Sequence, residues 1–291
     1  MNRSYLFIPG NNPAMLQNSD IFGADAVIFD LEDAVSMSEK DAARRLMSSF
    51  FATLANPPYE VYVRINSVAI SLGAEDLNMI MSHHVDGIVL PKASTKDIKE
   101  LTKLLETFEN ARRISKKIRI IPIIETAKAV LEINAIAQLP RVSGLLLGAE
   151  DLTGDMEIER TKIGHEIEYP RAKMAYACKA YGIDAIDTPF TDVTDEEGLL
   201  KDAQNALGLG MKAKCAIHPN QIDSINAVFS PSSNAIDYAK RIIEASLDAE
   251  KRHLGVFSLD GKMVDKPVID RAKKLIEKAR HFGLLGGNDD K

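Results

Sequence analysis

Short apolar runs that alternate with helix-period stretches predict an α/β fold of the (β/α)8 TIM-barrel class. The runs are apolar throughout, which is typical of parallel strands buried on both faces. Eight runs occur, which is the number of strands in a closed barrel of this class. The predicted strands are Tyr5–Ile8, Ala26–Phe29, Val61–Ile65, Gly87–Leu90, Arg119–Ile124, Gly144–Leu147, Asp184–Ile186 and Lys214–Ile217.

Amphipathic stretches separate these strands and predict the outer helices of the barrel. Pro170 suits the first turn of its helix, and Gly182 suits the position just past the end. The predicted helices are Ser38–Leu54, Thr95–Glu109, Ala127–Gln138, Pro170–Tyr181 and Asp195–Leu209.

The chain beyond the eighth strand is not needed to close a barrel, and we expect it to form a C-terminal arm. Gly255 should end its first helix, and Asp260-Gly261 should form a type I′ turn in a hairpin. We expect a catalytic barrel over residues 1–222 and an arm or lid over 223–291 that contacts another subunit, with a disordered GGNDDK tail. The predicted elements of the arm are a helix Asn234–Leu254, a hairpin Val256–Val264 and a helix Pro267–Phe282.

Composition and charge exclude several functional classes. Lys and Arg total 36 against 42 Asp and Glu, and this net charge of −6 argues against nucleic-acid and membrane partners. The first apolar run is interrupted by Pro9 and Gly10 and is too short for a signal peptide, so we expect a cytoplasmic protein. Cys178 and Cys215 have no CxxC spacing and fit unpaired, buried thiols in a reducing compartment.

Carboxylates end two of the predicted strands. Glu125 follows the fifth strand, and Glu150-Asp151 follow the sixth. A desolvated carboxylate is costly unless it is paired or bound to a metal. The six histidines have no zinc spacing, so the pattern predicts a hard, oxygen-liking divalent cation.

The end of almost every predicted strand carries a charged or polar residue, and catalytic groups of such barrels lie at these ends. Several have a structural alternative: Asp33 and Glu150 as helix caps, Asp30 as the partner of a neighbouring Lys or Arg. Arg64 either neutralises the acids or binds an anionic substrate. Lys92 and Lys214 are weaker candidates for a Schiff base. The full set is Asp30, Glu32, Asp33, Arg64, Lys92, Glu125, Glu150, Asp151, Asp187 and His218, with Lys92 alternatively a solvated charge and His218 a hydrogen-bonded structural residue.

Ordered motifs along nearly the whole chain resemble one family. They include RSYLFIPGNNPAM at Arg3–Met15, GADAVIFDLEDAV at Gly23–Val35 and LDGKMVDKPVIDRA at Leu259–Ala272, with VRIN, VLPKA, IIETA, LGAEDL and HPNQID between them. This series is similar to the citrate lyase β subunit and its HpcH/HpaI aldolase-citrate lyase relatives, which include malyl-thioester and citramalyl-CoA lyases.

The resemblance implies a set of site residues. Glu125 and Asp151 would hold Mg²⁺ or Mn²⁺. Arg64 would bind the oxo-acid carboxylate and stabilise charge at the reacting oxygen. Asp265 would transfer a proton, in some relatives at the mouth of an adjacent subunit. The remaining implied residues are Arg3, Pro9, Gly10 and Lys92 near the thioester carrier, Glu125 also against the substrate, and Asp30, Glu32, Asp33 and Asp187 as acids around the metal ligands.

The resemblance also implies a reaction and partners. The expected activity is cleavage of a citryl thioester, on an acyl-carrier protein or CoA, to oxaloacetate and an acetyl thioester. The expected assembly is a homo-oligomer, a trimer or a multiple of three, with α and acyl-carrier γ subunits of citrate lyase as further partners. LGAEDLTGDM and AIHPNQID resemble stand-alone CoA-dependent relatives, so a citramalyl-CoA or malyl-CoA lyase is the alternative. The non-enzyme alternative is a structural subunit that docks a carrier.

Overall fold

The computed structural model describes residues 1–252 and 254–285. His253 lies outside the described residues, and so does the GGNDDK tail, which the sequence predicts to be disordered. The chain forms two compact units, Asn2–Asn226 and, with Met1, the chain from Ala227 onward. The sequence places this boundary after Ile222, whereas the chain divides after Asn226.

Eight parallel strands form a closed barrel in the first unit, so the predicted fold class is confirmed. The strands are hydrogen-bonded in sequence order, and the first pairs with the eighth through Tyr5 and Cys215. They are β1 (Ser4–Pro9), β2 (Ala26–Asp30), β3 (Glu60–Arg64), β4 (Gly87–Leu90), β5 (Arg119–Ile124), β6 (Gly144–Leu147), β7 (Asp184–Asp187) and β8 (Ala213–Ala216).

The interior of the barrel is filled by inward-facing side chains from its strands. Tyr5 and Tyr62 lie near one end, with their ring centroids 5.6 Å apart. Because side chains fill the middle of the barrel, a substrate can bind only at the ends of the strands. The cluster consists of Tyr5, Ala26, Ile28, Tyr62, Val89, Ile121, Ile123, Leu146, Ile186, Ala213 and Cys215.

Helices follow the strands and cover the barrel. Ser94 and Asp97 form a capping box at the start of one helix, and Gly182 (φ 71°) and Gly210 (φ 103°) end two others in the left-handed conformation. These helices are α1 (Pro13–Gln17), α2 (Lys40–Thr53), α3 (Ser71–Ile80), α4 (Thr95–Arg112), α5 (Ala127–Ala137), α6 (Ala149–Asp155), α7 (Glu168–Tyr181) and α8 (Glu196–Leu209). A further helix, α9 (Ile222–Phe229), begins in the first unit and ends in the second.

Several predicted boundaries differ from the structure. Strand β3 begins at Glu60 because Glu60 pairs with Ala26 at the end of the ladder. Helix α7 begins at Glu168, two residues before the predicted start, and Pro170 lies in its first turn as predicted. Helices α1, α3, α6 and α9 were not among the predicted helices. Helix α6, for example, has only 7 residues, too few for a helical period to stand out.

Beyond α9, the described residues form two helices and a hairpin, as predicted. They are α10 (Ser233–Lys251), β9 (Phe257–Leu259), β10 (Lys262–Val264) and α11 (Lys266–His281). Asp260 (φ 50°) and Gly261 (φ 75°) both have the positive φ that a type I′ turn requires. The prediction that Gly255 ends the first helix is wrong, since α10 ends at Lys251, where the Arg252 N–H binds the carbonyls of the last turn.

Packing between α10, α11 and the hairpin gives this unit a small core of its own. Ala239 and Ile242 of α10 are buried with Val264 of the hairpin and Ala272 of α11. In the described part of the chain, no helix is long and apolar enough to cross a membrane.

Candidate active site

A cavity of about 320 Å³ opens at the carboxyl ends of the barrel strands. It is lined by residues from the ends of several strands and the turns that follow them, as expected for this fold. The predicted site residues that meet there are Pro9, Asp30, Asp33, Arg64, Glu125, Glu150 and Asp151.

Arg64 and Asp30 form a two-pronged ion pair at this mouth. They are directly opposite in the register of β3 and β2, and Arg64 Nε and Nη2 donate to the two oxygens of Asp30 at 2.7 and 2.6 Å. Asp30 is itself held by the N–H groups of Glu32 (2.8 Å) and Ala34 (3.0 Å). Asp30 therefore orients the arginine, which was one of the two interpretations that the sequence left open.

Glu32 and Asp33 place further negative charge around this guanidinium. Arg64 Nη1 lies 3.2 Å from Glu32 and 3.7 Å from Asp33. Burial would lower the pKa of Arg64, but Asp30, Glu32 and Asp33 outweigh it and raise that pKa. The pKa of Glu32 rises to about 7, first because the carboxyl is buried and then because Asp33 and Asp30 repel its charge. Arg64 thus stays charged, and its Cζ lies over the Phe7 ring, 5.1 Å from the ring centroid.

Glu125 is a buried carboxyl at the centre of the site. Only 3% of the residue is exposed, and its Oε1 accepts the backbone N–H of Lys92. Burial, with a smaller contribution from the charges of Asp151 and Glu32, raises the pKa of Glu125 to about 8 against the lowering effect of the Lys92 N–H. A Cβ at Gly148 would lie 2.6 Å from the Cβ of Glu125, so only glycine fits this close approach.

Asp151 faces the same cavity from the first turn of α6. Helix α6 has no capping side chain of its own at Gly148, but the Ala149 N–H donates to Thr188 Oγ1 at 3.3 Å. The dipole at the start of a helix favours a carboxylate there. Glu125 and Asp151 therefore approach each other from two neighbouring strand ends.

These two carboxylates fit a hard divalent cation. The carboxyl of Glu125 is buried beside Asp151, which raises its pKa, and a bound cation would compensate the negative charge of the pair. Two protein oxygens also leave the open positions that Mg²⁺ commonly fills with water and substrate. Within residues 1–252 and 254–285, no group of three or more His, Cys, Asp or Glu is arranged to hold a metal.

Arg3 lies at the other end of the barrel. It precedes β1, whereas Pro9 ends that strand, and six residues of strand span roughly 20 Å. Arg3 Nε and Nη2 donate to Asp25 at 2.8 Å each. The structure therefore does not bring Arg3 to the site, because the motif that suggested it spans the full length of the strand.

Gly10 and Lys92 contribute through their backbones. The Gly10 N–H donates to the carbonyl of Asp30 at 2.8 Å, and a Cβ at Gly10 would lie 2.7 Å from that oxygen. Lys92 has an exposed side chain and a φ of 45°, which is unusual for a residue other than glycine. That conformation accompanies the bond from its N–H to Glu125.

Asp187 and Lys214 belong to a buried ion-pair network and not to the lining of the cavity. Lys214 Nζ donates to Asp187 (2.7 Å), Asp202 (2.6 Å) and the Thr188 carbonyl (2.8 Å). Arg171 binds both acids from α7. Burial alone would raise the pKa of Asp202, but Lys214 and Arg171 lower it. With these partners and no exposed side-chain surface, Lys214 is poorly placed to form a Schiff base.

Three further predicted residues have structural partners. Glu150 lies 3.7 Å from Arg160. His218 Nδ1 accepts the N–H of Asn220 at 3.2 Å, which agrees with its structural interpretation. Asp265 belongs to the second unit, where its Oδ1 accepts the N–H of Val268 at 3.3 Å and caps α11.

Several residues that line the cavity were not among the predicted site residues, and these include Phe7, Thr188 and Ile217. The alternation of β1 could have revealed Phe7, because it lies on the same face as inward-facing Tyr5 and as Pro9. Thr188 directly follows a predicted strand, and its position alone was the available signal.

The closed parallel barrel, with an arginine and paired carboxylates at its carboxyl ends, defines an enzyme-type site of the TIM-barrel class. Residues 3–219 match the model of the HpcH/HpaI aldolase/citrate lyase family, and the chain belongs to that family. The family expected from the motifs is confirmed, and with it the prediction of a lyase.

Individual relatives agree with this assignment over nearly the whole chain. The citrate lyase subunit beta of Haemophilus influenzae is 39% identical over 286 residues, covering 96% of this chain and 97% of the relative. Human mitochondrial citramalyl-CoA lyase is 29% identical over 286 residues, which cover 94% of this chain and 84% of the relative. The crystal structure of the CitE protein from Mycobacterium tuberculosis in complex with magnesium, acetoacetate and coenzyme A superposes with a TM-score of 0.77 at 28% identity, covering 95% of this chain and 97% of that one.

Proposed function

We propose that this protein is a Mg²⁺-dependent carbon–carbon lyase that cleaves a citryl thioester to oxaloacetate and an acetyl thioester. The observation that carries the proposal is the buried carboxyl of Glu125 beside Asp151, a pair whose charge calls for a cation. Similarity to a citrate lyase subunit beta supports the substrate, and the magnesium and coenzyme A of the Mycobacterium tuberculosis structure support the metal and the thioester.

The reaction divides into proton removal, bond cleavage and proton return. The hydroxyl proton of the citryl group leaves, the bond between the hydroxyl carbon and the carbon next to the thioester breaks, and oxaloacetate separates. The electron pair remains on the acetyl thioester as an enolate, which takes up a proton. Glu125 and Asp151 would hold Mg²⁺, which when bound would acidify the substrate hydroxyl and help to orient the neighbouring carboxylate.

Arg64 has the geometry to bind and orient the oxo-acid half. The Asp30 carboxylate occupies Nε and Nη2, so Nη1 is the part of the guanidinium that remains for a substrate carboxylate. Glu32 is 3.2 Å from this nitrogen and competes for it, and its pKa of about 7 lets it become neutral as an anionic substrate approaches. Because Asp30 holds the Arg64 guanidinium in place before the substrate binds, this cation can stabilise developing negative charge without a rearrangement of the site.

Asp265 is our candidate for the proton transfer. A bound metal would use the carboxylates of Glu125 and Asp151 as ligands, so another group is needed as the base. The second unit carries a further carboxylate, Asp265, at the start of α11. We further propose that the protein forms a homo-oligomer, a trimer or a multiple of three, in which this unit brings Asp265 to the barrel of a neighbouring subunit. We also propose citrate lyase α and acyl-carrier γ subunits as partners, and a cytoplasmic location. Lys92 and Pro9 remain our candidates for the thioester side.

A stand-alone CoA lyase is the second candidate function. It is favoured by similarity to the human citramalyl-CoA lyase and by the LGAEDLTGDM and AIHPNQID motifs. An assay of citryl-CoA, citramalyl-CoA and malyl-CoA cleavage with Mg²⁺ distinguishes the candidates by the oxo acid released. Oxaloacetate from citryl-CoA supports the first proposal, whereas pyruvate or glyoxylate release supports the second. Cleavage of none of these thioesters, nor of citryl-loaded acyl carrier, would favour a non-catalytic carrier-docking subunit.

A further inference from the structure

The buried ion-pair network next to the site has a feature that charge balance alone does not require. Lys214 and Arg171 already neutralise Asp187 and Asp202, two cations against two anions. Yet Lys214 also donates to the carbonyl of Thr188, at 2.8 Å. The network therefore fixes the backbone of the first residue that follows β7.

Thr188 extends this connection to α6. The residue is 1% exposed and lines the cavity, and its Oγ1 accepts the N–H of Ala149, the first residue of α6. No side chain of the β6–α6 turn caps that helix, because its cap position is Gly148. A buried N–H without a partner is destabilising, so the hydroxyl that follows the neighbouring strand stabilises the helix start.

The opposite side of the same turn lies against Glu125. The Gly148 N–H donates to the Ile124 carbonyl at 3.0 Å, and the Gly148 backbone packs against the Glu125 side chain. Asp151 is in the first turn that follows. The separation of the Asp151 and Glu125 carboxylates thus depends on contacts from both neighbouring strands, β5 through Gly148 and β7 through Thr188.

We propose that Thr188, held by Lys214, is a positioning residue that fixes the start of α6 and so sets the distance between Asp151 and Glu125. The effect on metal binding rests on the proposed metal-dependent function, whereas the contacts of Thr188 with Ala149 and Lys214 do not depend on that function. Residues around metal ligands typically change metal affinity by about 10- to 100-fold when they are replaced.

The variants are chosen to separate positioning from general stability. Replacing Lys214 would leave Asp187 and Asp202 buried with too little positive charge, and such variants commonly fail to fold. Thr188→Val keeps the shape and removes the hydroxyl, whereas Thr188→Ser keeps the hydroxyl. Thr153→Val is the matched control, since Thr153 is also a buried threonine of this region whose Oγ1 donates within α6, to the Ala149 and Glu150 carbonyls.

Two measurements test the proposal on the full-length protein. Amide hydrogen exchange without metal reports the start of α6, and Mn²⁺ binding followed by electron paramagnetic resonance reports the ligand pair. We expect Thr188→Val to speed exchange at Ala149–Asp151 and to weaken Mn²⁺ binding about tenfold, with Thr188→Ser and Thr153→Val within about twofold of the parent. Unchanged exchange in Thr188→Val, or equal loss in Thr153→Val, would overturn the proposal. A parent protein that binds no Mn²⁺ would instead overturn the proposed metal site, while the exchange measurement still decides whether Thr188 fixes α6.

Discussion

The guanidinium of Arg64 and the carboxylate of Asp30 meet in register across two adjacent barrel strands, with both contacts at 2.7 Å or less. The pair places a fixed positive charge at the mouth and leaves one guanidinium nitrogen facing Glu32. Asp30 is 1% exposed, so this orientation does not depend on solvent or on a mobile side chain.

Asp30→Asn should therefore misplace the arginine. The loss of a charged hydrogen bond, about 1.5 kcal/mol or more, corresponds to an increase in KM of at least about tenfold. The measurement is steady-state cleavage of the thioester. Asp33→Asn is the control, because Asp33 is 63% exposed and 3.7 Å from Arg64, and it should change KM by less than about twofold. Equal effects in the two variants would mean that Asp30 has no special role in orienting Arg64.

Replacing Glu125 should change how the metal-free protein responds to pH. Burial raises its pKa from 4.5 to about 8, so the folded state holds this proton more tightly than the unfolded state. The resulting stabilisation is complete below pH 4.5 and is lost as pH rises through 8. Glu125→Gln should flatten this fall and be more stable than the parent at pH 8.5 or so. Urea unfolding at several pH values, in the presence of a chelator, measures the free energy of unfolding of both proteins. If this free energy falls equally with pH in both, Glu125 does not cause the pH dependence.

Lys92 separates a backbone role from a side-chain role. Glycine tolerates the φ of 45° and keeps the N–H to Glu125, so Lys92→Gly should retain metal binding. Lys92→Pro removes that N–H and forces φ to about −65°, so it should weaken Mn²⁺ binding at least about tenfold. If Lys92→Gly binds Mn²⁺ normally but raises KM for the thioester, the side chain also contributes to the carrier site. Normal Mn²⁺ binding by Lys92→Pro would exclude the backbone role.

Asp265→Asn tests proton transfer without disturbing the helix. Asparagine caps helices about as well as aspartate, so the melting temperature should not change. An amide cannot accept the proton, and we expect kcat to fall by about 100-fold or more. Stopped-time assays at saturating substrate measure kcat directly. Full activity in a folded Asp265→Asn variant would rule Asp265 out as the base.

The sequence predicted the barrel well because its evidence is local. A fully apolar run such as Ile120–Ile124 identifies a buried parallel strand without reference to the rest of the chain. A carboxylate directly after such a run can be placed at the barrel mouth for the same reason, which is how Glu125 and Asp151 were found. Asp265 follows no barrel strand, and only family resemblance suggested it.

The remaining features depend on contacts between distant segments. Arg3 was grouped with Pro9 because they share a motif, yet Arg3 precedes the six-residue strand β1 and Pro9 ends it. Asp187 follows a predicted strand as Glu125 does, but it pairs with Arg171 and Lys214 in the buried network, and both partners come from other elements. The capping of α6 by Thr188 spans 39 residues and leaves no pattern in the sequence around either end.

The most direct test of the account is the Mg²⁺ dependence of oxaloacetate release from citryl-CoA by the parent protein, Glu125→Gln and Asp151→Asn. We expect the parent to require Mg²⁺ and both variants to lose at least about 100-fold of its activity while keeping the parent's circular dichroism spectrum. Activity of the parent in the presence of a chelator, or near-normal metal-dependent activity in both variants, would contradict the proposed metal pair.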